Sequence, residues 1–155
     1  MRLLYTVLVF VHLIGVIVWV GGMAVILFAV RPAAVAQLPP PQRLPLLAGV
    51  LQRFLDWVAA AIVAIVASGI GLILGGGGFG AAHVSVHVMA ALGIVMIAIF
   101  LRIRFGPFPR LVTAVAMSDW PIAASHLDTI RRLVLVNLVL GVVVAAVATV
   151  GRTLL

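Results

Sequence analysis

Three of the four histidines in this 155-residue chain, His12, His83 and His87, lie in or at the mouth of long apolar runs. An ionisable side chain in such a run is costly enough to mark a functional position. Imidazole ligates iron, copper and zinc through either ring nitrogen. The chemistry to consider is therefore metal or haem ligation by two or three rings. The His83-x-x-x-His87 spacing puts two of them on one helix face. Met23 and Met89 could add the thioether that Cu(I) favours, although Met89 is two residues from His87 and points to another face. The plainer role for a membrane histidine is a hydrogen bond to a neighbouring helix, with Ser85 and Asn137 as the available partners.

Whether these rings can meet depends on the runs that carry them. The chain is 66% hydrophobic and 8% charged, against roughly 25% charged residues in a soluble domain. So apolar a chain cannot cover itself in water, and its first partner is the lipid bilayer. Four apolar runs, at about 4–30, 47–75, 82–104 and 129–151, are each long enough to cross about 30 Å of hydrocarbon. The expected fold is all-α, an antiparallel four-helix transmembrane bundle forming a single domain over 1–155. Connectors fall at Arg31-Pro32 and the Leu38–Pro41 stretch, at Gly75–Gly78, and between Arg102 and Arg132, where a short interfacial helix is expected near 108–118. Ser118-Asp119-Trp120-Pro121 has the form of a helix start. The first run is about twice the length of a signal-peptide core and is expected to be retained.

All ten cations are arginines, against three aspartates, with no lysine and no cysteine. Any haem would be held without thioether links. A nucleic-acid partner is excluded, because the arginines sit at the ends of apolar runs and not on a soluble domain. Eight of them (Arg31, Arg43, Arg53, Arg102, Arg104, Arg110, Arg131 and Arg132) cluster around the first and third connectors. The positive-inside rule puts those connectors in the cytoplasm and both termini outside, with only Arg2 and Arg152 opposed.

In that topology helices one and three both run inward from the outer face. At 1.5 Å per residue, His12 lies roughly 12 Å and His87 roughly 8 Å below the start of its run. His83 lies one turn above His87, and His126 belongs to the opposite end. His12, Gly15, Trp19, Gly22 and Met23 fall on one stripe of helix one. The two glycines leave room either for a planar group or for a close helix neighbour. Asn137, Gly141 and Ala145 make a similar small stripe on helix four. Arg53 and Asp56 are spaced for an ion pair, Trp57 and Trp120 for an aromatic belt, and His126 with Asp128 for capping the approach to helix four. No phosphate-binding loop, catalytic triad or carboxylate pair is present.

The first-helix segment Val11-His12-Leu13-Ile14-Gly15-Val16-Ile17-Val18-Trp19-Val20-Gly21-Gly22 resembles that of CopD-type membrane proteins, the copper resistance D group. So do Arg31-Pro32, Pro40 to Pro45, Arg53-Phe54, His83 to Met89, and Asp119-Trp120-Pro121 through Leu133. More distantly, His12 to Gly22 and His87-Val88-Met89 resemble HemJ-type four-helix haem proteins, with Met89 where that pattern has a lysine. The resemblances imply a bacterial inner (plasma) membrane protein. The expected site residues are His12, His87 and His83, with Gly15, Trp19 and Gly22 around them. One expectation is haem b with His12 and His87 as axial ligands, for one-electron transfer toward a quinone or other redox partner, as a membrane haem oxidoreductase. The alternative is copper, bound or transported through the same histidines. A homo-oligomer fits either.

Overall fold

A computed structural model of the chain describes residues 2–154, with side chains described through residue 150. Five helices account for nearly all of it. They are α1 (Arg2–Gln37), α2 (Pro40–Gly75), α3 (Val84–Phe105), α4 (Pro107–Ala116) and α5 (Trp120–Leu154). Among the described residues there is no strand. Four spans are long and apolar enough to cross a bilayer, the third being α3 with α4. The chain is a multi-pass membrane protein.

The helix boundaries follow from local chemistry. Leu38 and Pro39 are extended, with ψ of 135° and 160°, because each precedes a proline and the α region is closed to it. Pro40 then sits in the first turn of α2, where its missing N–H is not needed. The expected start near residue 47 is therefore corrected to Pro40, with Pro45 inside the helix. At the far end of α2, Gly78 N–H donates to Ile73 O at 2.8 Å and Gly77 N–H to Leu74 O at 3.3 Å. This is a Schellman cap, and Gly77 supplies its left-handed residue at φ +98°.

His83 is the N-cap of α3: its Nδ1 accepts from Ser85 N–H at 3.3 Å. Gly106-Pro107 breaks the chain into α4, whose Pro107, Phe108, Leu111 and Ala114 are buried on one face. The expected 108–118 interfacial helix is this element. Asp119 opens α5, its Oδ1 accepting from Ile122 N–H at 3.2 Å. The fourth long helix thus begins at Trp120, nine residues before the expected boundary. His126 and Asp128 fall inside it and do not cap it. Asp128 instead pairs with Arg131 at 2.7 Å and Arg132 at 2.9 Å.

The long helices associate as two pairs, α1 with α2 and α3 with α5, while α4 lies on α5. The pairs meet at the arginine-rich end and the middle of the bundle. Leu44, Leu51, Leu55, Phe100, Leu111 and Ile130 form the core there, with Trp19, Met23 and Met96 above them. Toward the other end the packing thins. No described residue of α1 before Gly15, or of α5 beyond Gly141, is buried. Large apolar side chains such as Phe10, Val63, Ile94 and Val139 face outward, as lipid-facing surface does.

Two features of α1 were not expected. Ile17–Gly21 and Ile26–Val30 are π-helical turns within an otherwise continuous helix. Each widens the helix locally and shifts the face that follows it, and such turns recur at functional sites. Trp19 lies in the first, and Met23 lies between the two.

Candidate functional site

The half-buried His12 ring leans from α1 onto α2. Its Nδ1 lies 3.1 Å from Ile65 O and 3.1 Å from Ser68 Oγ. A carbonyl can only accept, so Nδ1 carries the hydrogen and the neutral ring presents Nε2 as a bare lone pair. Ser68 is buried and its hydroxyl donates back to the α2 main chain, which leaves its oxygen free to accept from His12. Gly69 makes the approach close: a methyl there would stand 3.4 Å from His12 Cε1.

His87 repeats this logic on α3. Its Nδ1 donates to His83 O at 3.3 Å, so Nε2 is again the free nitrogen. Its ring is exposed, and the Phe79 ring lies beside it, 6.0 Å between centroids. His83 differs. Its Nδ1 accepts from Ser85 N–H and lies 3.0 Å from Ser85 Oγ. The hydrogen of a neutral His83 ring therefore sits on Nε2, and the ring is committed to the helix cap. Metal-bound histidines commonly donate their second ring nitrogen to a carbonyl or carboxylate. His12 and His87 are arranged that way and His83 is not.

The structure keeps His12 on the α1/α2 pair and His83 with His87 at the start of α3. Among the described residues, no three histidine or acidic side chains converge as a metal cluster. His126 lies in α5 at the arginine-rich end, away from the other three.

The glycines expected to leave room for a planar group are filled by α2. A methyl on Gly15 would fall 2.7 Å from Ile65 Cγ1, and one on Gly22 would strike the Phe54 ring. They serve close helix packing. On α5, Gly141 is filled in the same way by Val20 and Met96, and Ala145 is exposed. Trp19 is buried in the core cluster. The residues as packed do not fit a haem between α1 and its neighbours, because the space a porphyrin edge needs is already occupied by Ile65, Phe54 and Val20.

The remaining polar groups depart from expectation in instructive ways. Asp56 pairs across helices with Arg104 at 2.9 Å, while Arg53 donates to Gly49 O. Of the two expectations for these residues, a pair within the helix or between helices, Asp56 makes the second, and its partner Arg104 ties α2 to α3. Asn137 is buried in the middle of the bundle, and its Oδ1 has no hydrogen-bond partner among the described residues. Sequence reasoning missed Ser68 as the partner of His12. Its signal was a lone hydroxyl beside a glycine in an otherwise apolar run.

The fold and these rings define a class: a four-span membrane bundle that carries imidazole rings in the half remote from most of its arginines. Residues 48–150 match the family described as copper resistance protein D, CopD. The match runs from Ala48, within α2, to the end of the described side chains, and the chain belongs to that family. No curated protein and no solved structure matches it.

Proposed function

We propose that the chain is a copper-handling membrane protein in which Nε2 of His12 and Nε2 of His87 are the copper donors. One observation carries this reading: both rings have Nδ1–H anchored on a main-chain carbonyl, which leaves an oriented Nε2 lone pair. Neutral imidazole suits copper in either oxidation state, and family membership favours copper over iron. Copper is the protein's cargo here.

The donors stand one on each helix pair. An ion ligated by both would tie α1/α2 to α3/α5 in the half of the bundle where packing alone does not. The arginine-rich end is a poor exit for a cation. Its Asp56 and Asp128 are already paired with arginines, and a surface this positive repels a metal ion. The reading is therefore capture and handling at the histidine end, and the clustering of arginines at the other end favours the histidine end as the outer face of a bacterial inner membrane. Conduction through the bundle is not part of it.

The test is copper stoichiometry of the detergent-purified full chain, measured with Cu(I) under reducing conditions and with Cu(II). Wild type is expected to hold one ion. His12→Ala with His87→Ala is expected to hold none, and His126→Ala to behave as wild type. Unchanged stoichiometry in the double variant overturns the proposal. A Soret band in protein from haem-replete cells, lost on His87→Ala, would replace copper with haem b and electron transfer to a redox partner.

A further inference from the structure

At the arginine-rich end, α1, α2 and α5 leave an open cleft between them. Its upper part is lined by Arg31 and Arg43 with Asp128, over Leu44, Leu47 and Leu127. A second groove, apolar except for Arg31 and Arg131, shares Arg31, Leu47 and Leu127 with it and continues along Leu27, Leu51 and Ile130. The two adjoin through these shared residues and together set arginines beside an apolar wall.

The charge at the mouth of the cleft is unbalanced. Arg31, Arg43 and Arg131 all line the cleft or its extension, against the single carboxylate of Asp128. Asp128 is already occupied by Arg131 and Arg132, both within 2.9 Å. Arg31 and Arg43 are half-buried, and their guanidinium groups have no ion-pair or hydrogen-bond partner among the described residues. A half-buried guanidinium at the edge of the hydrocarbon needs an anion, and here the protein supplies none. Two arginines lining one opening suit a phosphate, which accepts bidentate hydrogen bonds from arginine. Basic pockets between membrane helices hold anionic lipid headgroups for this reason.

We propose that this cleft binds one anionic glycerophospholipid from the leaflet at the arginine-rich end. Its phosphate lies between Arg31 and Arg43, and one acyl chain lies in the groove past Leu27 and Leu51. A soluble anion would satisfy the arginines but leave the groove open. A zwitterionic lipid would fill the groove but bring its own cation to a mouth already rich in them. The anionic lipid answers both, and it would clamp α1, α2 and α5 together. The proposal is independent of copper binding.

The full chain in nanodiscs of phosphatidylcholine with graded phosphatidylglycerol provides the test, with bound lipid counted by native mass spectrometry. Wild type is expected to retain one phosphatidylglycerol. Arg31→Gln with Arg43→Gln is expected to weaken that binding roughly thirtyfold, from the loss of two near-surface lipid–arginine attractions. Arg102→Gln with Arg110→Gln, both exposed and outside the cleft, is expected to leave it unchanged. Six arginines remain around the two connectors in either variant, so the charge asymmetry that sets topology persists. Leu27→Trp, at a half-buried position in the groove, is expected to exclude the acyl chain and lower retention.

Equal weakening by the two arginine pairs would reduce the site to diffuse surface charge and overturn the proposal. Displacement of the lipid by inorganic phosphate would make it a free-phosphate site, with the same consequence. Retention unchanged in Leu27→Trp would show that no acyl chain occupies the groove.

Discussion

Gly15→Ala is the most direct probe of how α1 meets α2 beneath the proposed copper ligand. The added methyl would fall 2.7 Å from Ile65 Cγ1 and 3.2 Å from Ala61 O. Ordinary carbon–carbon contact is about 3.5–4.0 Å, so roughly 1 Å must be found. Ile65 cannot simply swing aside, because a β-branched side chain on a helix has one strongly preferred rotamer. The Ala61 oxygen belongs to the helix backbone. The relief must therefore come from α2 moving away, and Ile65 O moves with it. Its 3.1 Å contact with His12 Nδ1 would then stretch beyond hydrogen-bond range. Overpacking of this kind costs about 1–3 kcal/mol, and a hydrogen bond between membrane helices adds about 0.6 kcal/mol. Reversible unfolding in mixed micelles measures the sum. The decisive form is a cycle with Ile65→Ala, which removes the obstructing atoms: the double variant should be less destabilised than the two singles combined, by about 1 kcal/mol or more. Additivity within about 0.5 kcal/mol would mean that Gly15 does not face Ile65. The space beside His12 would then be open to a planar cofactor after all, and the case against haem would collapse.

Two further substitutions probe the same chain of inference. Ser68→Ala removes one of the two acceptors that orient His12 and should weaken copper retention about tenfold, the usual consequence of losing such a support. Ser85→Ala, which removes the hydroxyl beside His83 Nδ1, should leave retention unchanged; equal effects in a competition assay with a copper chelator would return His83 to the ligand set. Gly77→Ala forces a side chain into φ +98° and should lower stability by about 1–2 kcal/mol. Gly80→Ala, where a methyl meets nothing within 4 Å, should not, and thermal unfolding in detergent separates the two.

Bilayer thickness made the number of spans legible, since it fixes how long an apolar run must be. The helix start at Asp119 and the glycine turn at Gly77 were legible for a similar reason, because caps and left-handed turns demand particular residues. The starts of α2 and α5 were not. Prolines 40 and 45 read as connector, yet Pro40 sits in the first turn, where its missing N–H is not needed, the helix continues through Pro45, and the polar approach to α5 is simply more helix. For the candidate site, the sequence offers an expectation in one dimension only. Rise per residue places His12 and His87 at similar depth without reference to tertiary structure. Lateral position depends on which helices pair, and the stripe from His12 to Met23 contains nothing that specifies it. The π turns compound this, since each breaks the three-and-four rule on which the stripe was drawn. Gly15 and Gly22 consequently rest on α2, Val20 reaches Gly141 on α5, and His12 finds Ser68 and not Asn137. Similar depth therefore does not put two rings in contact. What local geometry does supply is the free Nε2 on each ring, and any copper that uses both must itself bring the two helix pairs together.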